Sequence, residues 1–236
     1  MSQGGPRPPD LVRRPPRLKV CGICRQPFGP ERKGTDDHVL PKGFFSKPVP
    51  RNLPTWRVCE SCQDMLDPAE ERLRNLFVRG PSHDPQASKD VLQRAERSGR
   101  VVVPEKWDWV MNNSDLYEFA PIARADQRDL NLVFSKIVGG LFYWKHHLLN
   151  PNAKAVVRGA LSRDDFDYWT RIVQFEMKLA VQRLGQVAWV SESDPEIRSG
   201  FWLFVLHDAL GVGIWAGEMA NRRDIPKSCA FPVRLR

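Results

Sequence analysis

The chain has 236 residues, of which 42 % are hydrophobic, and a formal net charge of +8. No apolar stretch approaches the roughly 20 residues that a membrane-spanning helix needs. The start, rich in proline and arginine, lacks the apolar centre of a secretory signal peptide. These features predict a cytoplasmic protein with no membrane partner. Most of the positive excess lies in residues 1–80 and 222–236, which favours a polyanion as partner.

Residues 1–18 contain several prolines and arginines and few apolar side chains. This composition predicts a disordered basic tail, because such a segment cannot bury enough apolar surface to fold. Two interpretations stay open for it: a plain solvated leader, or an arm that contacts nucleic acid.

Two Cys-x-x-Cys pairs follow, formed by Cys21 with Cys24 and by Cys59 with Cys62. In a reducing compartment, pairs with this spacing hold metal more often than they form disulfides. Four thiolates fit a closed tetrahedral zinc site, which has no open position for chemistry, so the ion is predicted to be structural. The fifth cysteine, Cys229, stands alone and is predicted to be a small buried residue.

The rest of the chain predicts an α+β protein. A helix follows Cys62 and ends at Gly80-Pro81, a short helix covers 88–98, and a strand covers 100–103. Apolar residues at helical spacing between positions 130 and 142 predict a second long helix that ends at Asn150-Pro151, and a third helix begins at Ser162 and runs to Gly185. Three strands are predicted at 186–191, 201–207 and 212–216.

Between the two cysteine pairs the chain reads Asp36-Asp37-His38-Val39-Leu40-Pro41-Lys42 and then Lys47-Pro48-Val49-Pro50-Arg51-Asn52-Leu53, and Gln63 directly follows the second pair. Over residues 20 to about 78 this order of motifs resembles the HNH endonuclease family, in the zinc-bound form of its small prokaryotic and phage-type members. The segment 136–143 resembles, less specifically, a region that these proteins carry downstream. The resemblance implies a ββα-metal (treble-clef) zinc module at residues 19–80, followed by an α+β accessory domain at 81–236.

The resemblance also implies the roles of four residues. Asp37 would bind a catalytic Mg²⁺ or Mn²⁺ ion, because carboxylates are hard oxygen ligands. His38 would be the general base, since imidazole titrates near neutral pH. Asn52 would orient the loop that carries the histidine. Gln63 stands where the family has Asn or His as the second ligand of that ion. Neighbours on a strand point to opposite faces, so Asp37 and His38 would need a distorted hairpin to act together.

Basic residues close to these motifs are predicted to contact phosphate groups, which supplies affinity without reading sequence. They are Lys42, Lys47, Arg51 and Arg57. Trp56 has two interpretations: it stacks on a base, or it packs against the first cysteine pair, which is the favoured one.

The sequence therefore predicts a metal-dependent phosphodiesterase that cuts nucleic acid, with DNA as the favoured substrate, a structural Zn²⁺ and a catalytic Mg²⁺ or Mn²⁺. Residues 81–236 would position the substrate, support a homodimer or dock a protein partner. Two alternatives stay open. Gln63 favours the first, a catalytically degenerate zinc module that binds nucleic acid or a protein partner. The second is an interaction protein in which zinc only stabilises a small core.

Overall fold

The computed structural model of the chain describes residues 11, 13–45, 48–79, 124–149, 156–161, 181–185, 187–196, 198–206 and 210–216. The predicted helix at 88–98, the predicted strand at 100–103, most of the helix expected from Ser162, and the residues Lys47 and Cys229 lie outside this part. No helix in the part of the chain that is described combines the length and the apolar character that a membrane crossing requires.

A hairpin and a helix form the cysteine region. Strand β1 (Gly34–His38) pairs antiparallel with strand β2 (Thr55–Cys59), and the register sets Asp37 opposite Trp56 and His38 opposite Thr55. The connection contains a short 3-10 helix, Lys42–Phe44. Helix α1 (Glu60–Arg79) begins directly after β2, so that Cys62 lies in its first turn. The predicted helix is confirmed, and it begins inside the second cysteine pair rather than after it.

Helix α2 (Arg124–His146) lies at the centre of the molecule. Its residues from Val133 to Trp144 are almost all buried, which confirms the predicted apolar helix, although it ends at His146 rather than at Asn150. A Cβ atom on Gly140 would lie 2.6 Å from both methyl groups of Val39, so only glycine allows the helix to approach the end of β1 this closely. The indole of Trp144 donates a hydrogen bond of 2.8 Å to the carbonyl of Thr55.

A five-stranded antiparallel sheet covers another side of α2. Its strands are β3 (Val156–Leu161), β4 (Gln182–Leu184), β5 (Val187–Asp194), β6 (Ser199–Leu206) and β7 (Leu210–Ala216), in the order β3-β7-β6-β5-β4. The last three confirm the predicted strands. Strand β3 was not predicted, because two valines between polar stretches give too short a pattern.

Strand β4 corrects the end of the predicted third helix, which was expected to reach Gly185. Gln182 and Leu184 are buried and Arg183 is exposed, an alternation of period two, and all three residues pair with β5. Gly185 then adopts a φ of 56°, which turns the chain sharply back into β5. Sheet pairing thus overrides the helical spacing of the apolar residues before it.

One continuous core joins these parts. It runs from Leu11 through the hairpin and α2 to Ala216 on β7, so α2 packs against both the cysteine region and the sheet. Leu11, Pro15 and Leu18 are buried, and the hydroxyl of Tyr143 donates a hydrogen bond to the carbonyl of Pro16. The described end of the segment predicted to be a disordered tail is therefore packed against the core.

Candidate metal centre and active site

The four paired cysteines converge on one point. The sulfur atoms of Cys21, Cys24, Cys59 and Cys62 all lie within 4.8 Å of one another. Three of the four residues are buried, and Cys24 is half-buried. Four sulfur atoms at one place could hold a tetrahedral metal such as zinc. The prediction that these four cysteines come together is confirmed.

The first cysteine pair lies in a tight turn. Val20 and Pro27 form a bridge across its base, the amide of Cys21 donates to the carbonyl of Gln26 at 2.9 Å, and the amide of Arg25 donates to the carbonyl of Cys21 at 3.0 Å. Arg25 closes the turn with a φ of 64°, a conformation that non-glycine residues adopt rarely. Both cysteine side chains are thereby held toward β2.

Backbone amides and one arginine surround the sulfur atoms with positive charge. The amides of Ile23 and Cys59 donate to the sulfur of Cys21 at 3.4 and 3.3 Å. The guanidinium of Arg32 lies 3.7 Å from the sulfur atoms of both Cys24 and Cys59. Burial raises the pKa of the Cys21 and Cys62 thiols, whereas the pKa of the Cys59 thiol falls to about 6 because its hydrogen bonds, that with Ser61 foremost, outweigh burial. The donor set and its surroundings therefore fit a divalent ion.

Gly22 makes the close packing beneath the cluster possible. Its amide donates to the carbonyl of Arg57 at 2.8 Å, and a Cβ atom would lie 2.5 Å from the ring of Trp56. Trp56 is only 4 % exposed, which confirms that it packs against the first cysteine pair rather than offering its face to a base.

Replacement of Gly22 by alanine should destabilise the protein by about 1–3 kcal/mol, because the rigid indole has to move away from the new methyl group. The matched control is Gly29→Ala in the same region, where nothing lies within 4 Å of the place that the new methyl group would take. Thermal unfolding of the two purified variants and the parent tests this expectation. Equal melting temperatures for Gly22→Ala and Gly29→Ala would contradict the packing described here.

His38 ends β1 at the entrance to the loop that returns to β2. His38 is half-buried. Its ring atom Nδ1 is buried and has no hydrogen-bond partner among the described residues. Burial lowers the pKa of His38 below its ordinary value, and the ammonium groups of Lys42 and Lys136 add to this, against the opposing effect of Asp37. The loop is fixed by a backbone hydrogen bond of 2.8 Å from Val39 to Pro54.

Asp37 lies on the opposite face of β1 from His38, because the strand keeps its regular pairing through both residues. The hairpin is thus not distorted at this point. The Asp37 Oδ1 atom accepts a hydrogen bond of 2.7 Å from the amide of His38, and the Oδ2 atom lies 2.5 Å from the Nζ atom of Lys136. Both carboxylate oxygens are engaged by the protein itself.

Lys136 is the residue at this site that the sequence did not reveal. Its side chain is 1 % exposed, and its ammonium group bridges Asp37 on β1 and Glu70 on α1, at 2.5 Å from an oxygen of each. Burial raises the pKa of Glu70 to about 7, even though the charge of Lys136 opposes this rise. A lone lysine within the apolar face of a predicted helix was the available signal, because a buried charge needs a partner.

Gln63 lies in the first turns of α1 and faces β1. The hydroxyl of Thr35 donates a hydrogen bond of 3.0 Å to its Oε1 atom. Thr35 and Asp37 are two residues apart on one strand and therefore share a face, so Gln63 and Asp37 are directed to the same side of the hairpin. Asn52 lies in an exposed turn, and its predicted role in orienting the loop stays a prediction.

The basic residues predicted to contact phosphates take different positions. Lys42 and Arg51 are exposed, and Lys42 is near enough to His38 to influence its charge. Arg57 packs its guanidinium over the ring of Phe28, 4.4 Å from the ring centroid. Lys42 and Arg51 thus lie in the connection between β1 and β2, and Arg57 lies on β2.

Comparisons of the chain with protein-family models, with curated proteins and with solved structures found no match.

Proposed function

We propose that the chain is a metal-dependent phosphodiesterase of the HNH type that cuts nucleic acid, with DNA as the favoured substrate. The observation that carries the proposal is the place of His38, half-buried at the end of β1 with a pKa that burial holds below its ordinary value, which leaves the imidazole mainly neutral near pH 7. An imidazole that keeps a lone pair available can take a proton from water. The proposal assigns the hairpin and α1 to a ββα-metal module that a structural Zn²⁺ holds together.

In the proposed reaction, His38 removes a proton from a water molecule, the resulting hydroxide attacks phosphorus, and the bond from phosphorus to the 3′ oxygen breaks. Lys42 and Arg51 are exposed beside this loop and would bind neighbouring phosphates. A divalent ion at Asp37 and Gln63 would supply charge stabilisation to the leaving oxygen. The Oε1 atom of Gln63 accepts one hydrogen bond and the Oδ2 atom of Asp37 forms one ion pair, and each oxygen keeps a second lone pair for an ion. Because Asp37 and His38 lie on opposite faces of β1, the proposed reaction requires the end of β1 to turn so that both side chains face the same phosphate.

A second function, nucleic-acid binding without cutting, is favoured by one specific contact. The ammonium group of Lys136 lies 2.5 Å from Asp37 and already neutralises the carboxylate that the catalytic ion would use. In this alternative, Lys136 replaces the ion electrostatically, and Gln63 serves only as the acceptor for Thr35. The zinc cluster and the basic residues keep their roles in both proposals.

The His38→Ala variant should lose about 10²–10⁴-fold in cutting rate, since this is what a positioned general base typically contributes. The parent, His38→Ala and the control His147→Ala are incubated with plasmid DNA in Mg²⁺, in Mn²⁺ and in EDTA. His147 follows α2 and is a histidine of comparable exposure outside the proposed site. The zinc content is measured after the EDTA step, so that loss of the structural ion is not mistaken for loss of the catalytic one.

The nuclease proposal is supported if the parent and His147→Ala cut the plasmid and His38→Ala does not. The parent should also stop cutting in EDTA while it retains its zinc. Manganese binding by electron paramagnetic resonance separates the two functions further. A parent that binds DNA, retains its zinc, takes up no Mn²⁺ and cuts neither DNA nor RNA would establish the binding module instead.

A further inference from the structure

A groove of about 410 Å³ runs between the N-terminal segment and the hairpin. We name it the N-terminal groove; the residues that matter for its chemistry are Arg14, Arg17, Asp36, Thr55, Arg57 and Tyr143. It involves none of the cysteines and neither Asp37 nor Gln63, so it is separate from the metal centre.

The N-terminal segment is held rigidly along one wall of this groove. Pro15 and Leu18 are buried, and the carbonyl of Pro16 accepts a hydrogen bond from the hydroxyl of Tyr143 on α2. The two prolines fix their own φ angles, and Arg14 before them is restricted to extended conformations. The backbone that carries Arg14 and Arg17 is thus ordered before any ligand arrives, which lowers the entropic cost of binding.

The charge of the groove favours an anion. Arg14, Arg17 and Arg57 contribute three guanidinium groups, whereas Asp36 is the acidic residue among those that line it. Among the described residues, no acidic side chain forms an ion pair with Arg14 or Arg17, and both arginines are exposed. Guanidinium groups present paired N–H donors that match the oxygens of a phosphate.

The groove also borders the face of the hairpin that carries His38. In the register of the hairpin, Asp36 lies opposite Arg57, and His38 lies opposite Thr55. Because side chains alternate along a strand, these four residues share one face of the hairpin. A polymer lying along the groove would therefore pass the face that carries His38.

We propose that the N-terminal groove binds the sugar–phosphate backbone of a nucleic-acid strand through Arg14 and Arg17. The inference rests on the proposed function only for the identity of the polymer, and it does not require that the chain cuts. The segment predicted from sequence to be a solvated tail would then be part of the binding surface.

The test is a binding titration of the full chain with a fluorescein-labelled single-stranded oligonucleotide and with the matching duplex, at several salt concentrations and without added divalent ions. The variant is Arg14→Ala/Arg17→Ala. The matched control is Arg13→Ala/Lys33→Ala, which removes the same charge from two exposed residues that do not line the groove. Thermal unfolding checks that both variants fold.

Two lost phosphate contacts should lower the salt slope by about 1.4–1.8, so that between about 50 and 200 mM salt the parent loses roughly tenfold more affinity than the variant. The control should keep the slope of the parent. Equal salt slopes for the variant and the control would overturn the proposed binding role of the groove, because only general charge attraction would then remain. A parent that binds neither probe would overturn it as well.

The two proposals fail separately. If the parent cuts plasmid DNA but Arg14→Ala/Arg17→Ala binds like the control, the groove is wrong and the nuclease stands. If the variant loses binding as expected while the parent never cuts, the groove stands and the nuclease proposal falls.

Discussion

Replacement of Cys24 by serine should remove the metal from the chain and unfold the region around it. The sulfur atoms of the four paired cysteines lie within 4.8 Å of one another, and the turn that carries Cys24 is otherwise held by a few backbone hydrogen bonds. A structural zinc ion contributes about 10–16 kcal/mol in small zinc modules, whereas a whole domain is stable by only about 5–15 kcal/mol. Loss of one ligand therefore removes a large part of the total stability.

Zinc content by mass spectrometry and thermal unfolding, with and without a chelator, measure this effect. Cys229→Ser is the matched control, since it changes a cysteine outside both pairs. The parent should lose its cooperative transition when the chelator removes the ion, and Cys24→Ser should behave like the chelated parent. A Cys24→Ser protein that keeps one zinc per chain and melts with the parent would show that the cluster is not a metal site.

Replacement of Lys136 by methionine should destabilise the protein by about 3–5 kcal/mol, because it leaves two carboxylates buried without their shared cation. The side chains of Asp37 and Glu70 are 11 % and 18 % exposed, so both carboxylates are largely shielded from water. Methionine keeps the length of the lysine side chain and its packing against α1, so the loss of stability reports the missing charge alone.

This loss should depend on pH. Burial raises the pKa of Glu70 to about 7 in the parent, with Asp37 and Asp67 adding to the rise and Lys136 opposing it, against an ordinary value of 4.5. Removal of Lys136 raises the folded-state pKa further. A group whose pKa is higher in the folded state favours folding below its unfolded pKa, and this contribution is lost as pH rises through the folded value. The unfolding free energy of Lys136→Met should thus be closest to that of the parent near pH 4.5, and the difference between them should be largest above pH 7.

Chemical unfolding at a series of pH values measures the difference in unfolding free energy. Lys145→Met, an exposed position on the same helix, is the matched control. The double variant Lys136→Met/Glu70→Gln should recover part of the loss, since one of the two stranded charges is gone. A Lys136→Met protein as stable as Lys145→Met at pH 8 would contradict the buried ion network.

Short-range patterns made the four-cysteine cluster predictable, because two residues between cysteines are typical of a tight turn that brings both thiols to one side. The strands β5, β6 and β7 were predictable for a similar reason, since their apolar runs are bounded by polar residues. The position of Lys136 was not, because its partners on β1 and α1 lie 99 and 66 residues away in the chain. Strand β4 was mistaken for helix because its exposure pattern appears only once β5 pairs with it.

The packing of the basic tail could not be predicted from its composition either. Its composition indicates a solvated segment, and only the position of the Tyr143 hydroxyl and the apolar surface around Leu11 account for its packing. For Gly140, the sequence offered two adjacent glycines within a helix, which is a signal of close approach, but it did not identify Val39 as the neighbour.

The shared helix α2 sets a lower limit on the fragment that can fold. The indole of Trp144 donates a hydrogen bond to the carbonyl of Thr55, and Gly140 leaves room for the side chain of Val39. The Nε2 atom of His146 lies 2.8 Å from the hydroxyl of Ser193 on β5. A fragment that ends at residue 80 would remove the packing of Gly140 on Val39 and of Gly185 on Phe45, and would leave Asp37 without its lysine. The cysteine region is therefore not a cassette that can be excised and grafted onto another protein, and truncation series or domain fusions must retain residues 124–146 to keep the hairpin in its present form.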